Sequence, residues 1–566
     1  VRGAFGFATP RGPIKVAAVD SAVNVPYRYN DSFTALRGGE YFRDGVLQFP
    51  ASDENRPGAY KDGSYHTHFG PCIAHSGVVY ACNNHNVSQA FPRLTKCREP
   101  EIDGFEEWMQ ANQRSFITSH SRFASKLKRL YQRGLDDFTS MVDECIEHHA
   151  DPHVKRAERV AAMRDLHEQN KLFDRLWYMD GKETEYKFKK FEFAKPGKPG
   201  RMIGNLHCPA SLQGFRLTNL MKYAFAENPV STIGGVMEFV PVPSARELER
   251  VFAQLETPTG RFYMSYFSDD ACLVLRTRSG KLLRCNLDIS SCDASHTQAL
   301  FDLLVEITPD RFREDMLRLV EQCQTPIKIY DQSDHKRYVK LRPKHARLYS
   351  GSTLTTLINN LANILIGRAI AESEIDSYED IVKAARRVGY VVTCEPCDDI
   401  RKLQFLKHSP VYDTTGRLRA LLNMGVLFRL TGTCKGDLPG TRSEGLRARA
   451  EKFQAALLQG AYPRVSMPLV DRLKRNVSHV KPTAKQTAVV SKELLFKVDP
   501  RDDERYSVTP EEVWRRYDLT PLETIELEEG FASCGYGDHF QSTGAAKVLA
   551  LDYKLGVVGP ESLSKW

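Results

Sequence analysis

The chain has 566 residues, more than one ordinary core serves, so two to four subdomains are expected. Its 42% apolar and 27% charged content excludes a disordered chain. No charge-free apolar run of about 20 residues predicts a membrane-spanning helix. A net charge of +8 is compatible with a polyanionic partner without proving one, and thirteen scattered cysteines point to a reducing compartment, not a disulfide scaffold. No signal-peptide pattern is read at the N-terminus, and a start at Val1 reads as a piece of a longer precursor.

In chain order, residues 1–100 are rich in Gly, Pro, Asn and His and read as a loop-heavy extension. His66, His68, Cys72, His75, Cys82, His85 and Cys97 crowd there. Four of them could hold a structural Zn2+, although no pair has Cys-x2-Cys spacing and the bland alternative is buried thiols and surface imidazoles. Residues 103–175 have a helical pattern. Residues 182–201 are basic, with Lys195, Lys198 and Arg201 on a ribbon stiffened by Pro196-Gly197 and Pro199-Gly200. Such cations could neutralise a triphosphate, and a solvated loop is the even alternative. Three strands follow between 262 and 293, then helix over 297–325, a second basic stretch over 326–347, and an apolar helix over 352–366 behind a Ser350-Gly351 hinge. Another helix covers 376–388 and a strand Tyr390–Thr393. Cys394-x2-Cys397 has metal spacing but no second pair and reads as structural. Near the C-terminus, Thr509-Pro-Glu-Glu512 is a capping box with Pro at the first helical position.

The chemistry concentrates in Met264 to Asp293. Ser268-Asp269-Asp270 and Asp288-x4-Asp293 are separated by only a hairpin's length. A two-residue loop at Ser279-Gly280 would put Arg278 opposite Lys281 and Ala271 opposite Asp288. Period-two alternation would then place Asp269 on the face of Asp288, a diagonal neighbour roughly 7 Å away at the backbone. Paired carboxylates at that spacing suit two cations about 3.5–4 Å apart, and oxygen ligands favour Mg2+ or Mn2+. An isolated Asp pair is usually a solvated turn; a second carboxylate placed by register is what makes a metal site the better account. Thr355 and Asn359 lie four apart, on one face of the helix after the hinge, where small hydroxyls suit close approach to a nucleotide or template. Taken without the acidic clusters, they would be a packed helix start.

These residues together resemble the viral RNA-dependent RNA polymerases. Asp288-x4-Asp293 looks like their first palm motif, Ser350-Gly351-x3-Thr355-x3-Asn359 like the second and Ser268-Asp269-Asp270 like the third. Ala385-x3-Gly389 and Phe405-Leu406-Lys407 resemble the fourth and fifth, and Lys195, Lys198 and Arg201 more loosely the fingers motif that contacts the triphosphate. The third motif precedes the first, so the chain looks permuted, similar to the permutotetravirus and birnavirus polymerases. A tight turn at 279–280 allows that order with short connections.

The resemblance implies an α+β right-hand polymerase with fingers, a permuted palm built on an antiparallel sheet, and a helical thumb. The expected division is 1–180 as N-terminal extension and fingers elements, 181–255 as fingers with the basic ribbon, and 256–300 as palm with the third and then the first motif. Residues 301–345 follow as a fingers insertion, 346–430 as the rest of the palm, and 431–566 as thumb and C-terminal region. Asp269 and Asp288 would be the main ligands of two Mg2+ or Mn2+ ions, with Asp270 assisting. Asp293 and Asn359 would sense the ribose 2′-hydroxyl, Ser350 and Gly351 would form a mobile loop, and Lys402 is a candidate general acid. The implied activity is RNA-templated RNA synthesis from ribonucleoside triphosphates, replicating a viral RNA genome in the host-cell cytoplasm and also within the virion. RNA template and product are the expected partners. A palm-type nucleotide cyclase, or an inactive palm acting as an RNA-binding scaffold, is the alternative.

Overall fold

The protein is described from a computed structural model. It describes chiefly residues 33–50, 80–97, 104–111, 184–189, 198–430, 443–484 and 504–553, a few positions within these spans excepted, together with short strand pairs elsewhere. Most of the 103–175 stretch, Lys195, and the side chains of His66, His68, Cys72, His75 and Cys97 lie outside the described residues. Of the expected zinc group, the Cys82 thiol donates to Gln332 Oε1 at 3.0 Å.

The central sheet has seven strands. In spatial order they are β1 (Val19–Asp20), β12 (Val392–Pro396), β9 (Leu282–Ile289), β8 (Asp270–Arg276), β7 (Phe262–Phe267), β6 (Gly235–Phe239) and β5 (Val230–Thr232), numbered along the chain. A second, five-stranded sheet contains β4 (Met202–Asn205), β3 (Thr184–Phe188), β10 (Ile327–Tyr330), β11 (Tyr338–Pro343) and β2 (Phe33–Arg37). Every pairing of the central sheet is antiparallel except β6 with β7. With its helices, this is an α+β architecture.

Both faces of the central sheet are covered, so β7 and β8 are buried without clean alternation, while β9 alternates. On one face, Met264, Tyr266, Leu273, Leu275, Cys285 and Leu287 pack against α3 (Gln298–Ile307), α4 (Asp310–Gln322), α5 (Thr355–Glu372) and α6 (Tyr378–Arg387). On the other, Tyr263, Cys272 and Val274 pack against α2 (Ala245–Glu256) and residues Leu403, Phe405 and Leu406. The apolar α5 is buried along nearly its whole length. It lies close to the sheet at Gly367, where a Cβ would come within 2.3 Å of Met237 Sδ and 2.8 Å of Met264 Sδ.

The hairpin register differs from the expected one by a residue. Thr277 N–H donates to Lys281 O at 2.9 Å and Gly280 N–H to Thr277 O at 3.0 Å, which closes a three-residue loop, Arg278–Gly280. Either primed two-residue turn would require positive φ at Ser279, whereas the longer loop needs a left-handed residue only at Gly280, whose φ is 83°. Thr277 Oγ1 adds to it by accepting from Lys281 N–H at 3.1 Å. Consequently Asp270, not Ala271, stands opposite Asp288.

Elsewhere the predicted helices at 297–325, 352–366 and 376–388 correspond to α3 with α4, α5 and α6. The strand expected at Tyr390–Thr393 instead begins at Val392, because Gly389 (φ 93°) and the Tyr390 N–H to Ala385 O bond still belong to the end of α6. Thr509 caps its helix, accepting from Glu512 N–H at 3.3 Å. Glu512 does not complete the box. Its carboxylate receives Arg401 at 2.6 Å and Tyr412 N–H at 2.9 Å, tying the C-terminal region to the segment that follows β12. That region has its own core, from Val411 through Trp514 to Leu549.

Candidate active site

The acidic residues gather where β7, β8 and β9 end. β7 and β8 are joined by Ser268-Asp269, with Phe267 paired to Asp270. Asp269 therefore sits in the turn, and its direction is not set by strand alternation as the sequence register implied. Asp270 and Asp288 are the directly opposed pair, on the face shared with Cys272 and Asn286.

Ser268 has a φ of 53°, a left-handed conformation that usually falls to glycine. Three asparagines of α5 hold it there. Asn360 Oδ1 accepts from Ser268 N–H at 2.7 Å, Asn363 Nδ2 donates to Ser268 O at 2.5 Å, and Asn359 Nδ2 donates to Ser268 Oγ at 3.2 Å. Both backbone polar groups and the hydroxyl of the residue before Asp269 are thereby fixed. Asn360 and Asn363 belong to no motif; three amides in an otherwise apolar, buried helix are the sequence signal for them.

Asp270 is held from the opposite side. Phe405 and His408 exchange backbone hydrogen bonds of 2.9 and 3.0 Å around Leu406 (φ 51°) and Lys407 (φ 64°), a two-residue hairpin turn. At its tip Leu406 N–H donates to Asp270 Oδ2 at 2.9 Å. This gives the Phe405-Leu406-Lys407 segment a concrete contact with the acidic cluster.

The cluster repels itself. Burial pushes the Asp270 carboxyl up to about 7; the Leu406 N–H opposes this, and the charges of Asp269 and Asp288 add to it. Asp269 is also raised, by burial first and then by Asp288, with Arg201 pulling the other way. Asp293 is raised by burial and by Asp269, while a hydrogen bond from Asn359 Nδ2 at 3.3 Å and the charge of Arg201 favour its ionised form. Arg201 thus belongs to the field of the site, at the start of β4, whereas Lys198 is exposed nearby in sequence. Carboxylates that crowd, repel and offer only oxygen fit a hard divalent cation.

Behind Asp293, Cys292 Sγ and His296 Nε2 both point at Asn359 Oδ1, at 3.3 and 2.7 Å. The ligand atoms of Cys292, Asp293 and His296 lie within 4.8 Å of one another. The Asn359 carbonyl already takes the thiol and imidazole as hydrogen-bond donors, so this group serves the amide.

The hinge residues meet β4, the strand that follows the basic ribbon. Gly204 N–H donates to Ser350 O at 2.8 Å, and Gly351, at φ 104°, approaches so closely that a Cβ would lie 2.5 Å from Gly204 O. Thr355 Oγ1 donates to Tyr349 O at 3.3 Å and so fastens the hinge to the start of α5. Lys402 is engaged elsewhere. Burial lowers its pKa, but ion pairs of 3.2 Å each with Asp518 and Asp398 outweigh that and raise it.

No helix among the described residues is long and apolar enough to cross a membrane. No protein-family model and no curated protein matches the chain. Among solved structures it is similar to the X-ray structure of the birnavirus VP1–VP3 complex, at 11% identity and a TM-score of 0.39 over 58% of this chain and 46% of that one. It is also similar to the RNA polymerase VP1 from Infectious Pancreatic Necrosis Virus, at 10% identity and a TM-score of 0.38 over 76% of this chain and 56% of that one. The chain spans about half the length of these structures.

Proposed function

We propose that the chain is an RNA-directed RNA polymerase that adds ribonucleotides to a growing RNA by two-metal nucleotidyl transfer. The observation that carries this is the convergence of Asp269, Asp270 and Asp288 at one end of the sheet beside Asp293 and Asn359, in the third-before-first motif order. Asp269 and Asp288 would hold Mg2+ or Mn2+, with Asp270 assisting. Ions held there would lower the pKa of the primer 3′-hydroxyl and stabilise charge on the phosphates. Leu406 N–H keeps Asp270 in place, and the asparagine clamp on Ser268 keeps the Asp269 turn in place. Asp293 and Asn359 would take the ribose 2′-hydroxyl, the carboxylate accepting from it and the amide donating to it. Arg201, with Lys198 and Lys195, would neutralise the triphosphate, and the Ser350-Gly351 hinge with Thr355 would follow template movement. Lys402 would have to leave two ion pairs to serve as general acid.

In this scheme β7, β8, β9 and β12 of the central sheet, with α5 and α6, are the palm, permuted in its motif order. The five-stranded sheet and basic ribbon belong to the fingers, and the core around Trp514 to the thumb. RNA template, product and nucleoside triphosphates are the partners, and the setting is viral RNA replication in the host cytoplasm.

Primer extension on homopolymeric RNA with Mg2+ or Mn2+ tests the proposal. Wild-type protein should extend with ribonucleotides in preference to deoxynucleotides. Asp269→Ala and Asp288→Ala should each lose about a thousandfold or more, since metal-borne charge stabilisation amounts to several kcal/mol. Retained extension by either folded variant would refute the metal assignment.

A further inference from the structure

The amide of Asn359 is held in one orientation by a chain of proton donors that starts outside the motifs. The Asp293 carboxylate, when ionised, can only accept, so Asn359 must turn its Nδ2 toward it, at 3.3 Å. Both amide hydrogens are then directed, one at Asp293 Oδ1 and one at Ser268 Oγ. That leaves Oδ1 facing His296 Nε2 at 2.7 Å, and a carbonyl oxygen cannot donate. His296 must therefore carry its proton on Nε2. Its Nδ1, lying 2.9 Å from Tyr390 Oη, must accept, so Tyr390 donates. Every proton in the sequence Tyr390, His296, Asn359, Asp293 is thus assigned by elimination. His296 and Tyr390 are buried, and their rings meet edge to face at 5.8 Å.

The longest bond of the set is the one between Asn359 and Asp293. A sugar hydroxyl can enter there, donating to the carboxylate and accepting from Nδ2. A rotated amide would present its carbonyl oxygen instead and lose the donor the hydroxyl needs.

We infer that His296 and Tyr390 are positioning residues for sugar selection, the Tyr390–His296 pair fixing which end of the Asn359 amide meets the incoming ribose. This rests on the proposed role of Asp293 and Asn359 in sensing the 2′-hydroxyl. Tyr390 directly follows the Ala385-x3-Gly389 segment, so the pair also links that segment to the other motifs. Burial pushes the His296 imidazole down to about 4 and holds the Tyr390 phenol far above its ordinary range. Both therefore stay neutral at working pH, as the proton assignment requires.

Single-nucleotide incorporation kinetics on the full chain test this, with ribo- and deoxynucleotides compared in wild type, His296→Leu, His296→Gln and Tyr390→Phe, each checked by thermal melting. His296→Leu removes the donor to Asn359, so kcat/KM for the ribonucleotide should fall by about tenfold, chiefly through KM, while that for the deoxynucleotide holds. His296→Gln keeps an N–H donor and should restore most of the discrimination. Tyr390→Phe frees Nδ1 to take the proton and should give a partial loss; as it deletes one oxygen, it carries the test if His296→Leu does not fold. An equal fall for both sugars, which is what a packing role gives, would overturn the inference, as would an unchanged ratio in His296→Leu and Tyr390→Phe. Wild-type protein that extends with neither sugar would overturn the polymerase proposal itself, and this inference with it.

Discussion

Ser268 shows how one strained residue positions a reactive neighbour. A serine at φ 53° is disfavoured on its own, and here three α5 amides compensate. Ser268→Gly relieves the strain and gives up only the Oγ contact, so it should change stability by less than about 1 kcal/mol. Ser268→Val adds a branched Cβ in the left-handed region and removes the hydroxyl, and should destabilise by about 1–3 kcal/mol. Asn363→Leu leaves Ser268 O without its donor and should cost about 1–3 kcal/mol. Urea denaturation of the three variants measures this order. The acidic residues and Asn359 were legible in the sequence because their spacing is local. His296, Tyr390, Asn360 and Asn363 were not, because what defines them is a contact between segments up to 95 residues apart.

At the scale of elements, the β8–β9 hairpin decides which carboxylates face each other. The sequence identified both strands and the turn from Ser279-Gly280, and misjudged the loop length by one. The loop could not be read from those two residues alone, because Thr277 closes it with its side chain as well as its backbone. Such a one-residue slip exchanges the faces of a whole strand. Asp270 therefore occupies the position facing Asp288 that had been assigned to Ala271. Gly280 has no heavy atom within 4 Å of an added Cβ, so a substitution there changes conformational preference and nothing else. Gly280→Ala should lower stability by about 1 kcal/mol, read from chemical denaturation, with nucleotide incorporation retained. Loss of incorporation without loss of stability would mean that the loop, and not the strand pairing, serves the site. α6 was legible to within about two residues, while α3 and α4 were read as one stretch over 297–325 and α5 runs on to Glu372, past the expected end at Ile366.

At the scale of the whole molecule, the acidic cluster makes stability depend on pH and on cations. Asp270 has a folded-state pKa of about 7, above its ordinary value of 3.8. The folded state therefore binds this proton more tightly than the unfolded chain does. Its contribution to stability is full below about pH 4 and is lost as pH rises toward and through 7. A divalent cation that binds only the folded site should offset this at high pH and have little effect at low pH, where protons compete. Thermal melting should show Mg2+ raising Tm by about 2–4 °C at pH 8 and much less at pH 5. Asp270→Asn should flatten the metal-free pH dependence, and an identical Mg2+ effect at both pH values would contradict the electrostatic account. The expected fingers, palm and thumb division rests on the resemblance that the motifs carry. Contacts such as Arg401 with Glu512, which hold the C-terminal region to the segment after β12, had no signal in the sequence because each partner also reads as an ordinary surface charge.

The most direct test is a crystal of the full chain grown with Mn2+, with the ion located by its anomalous scattering. The account predicts manganese bound between the carboxylates of Asp269 and Asp288. An ion held instead by Cys292 and His296, or carboxylates of Asp269 and Asp288 that bind no common ion at saturating Mn2+, would contradict it.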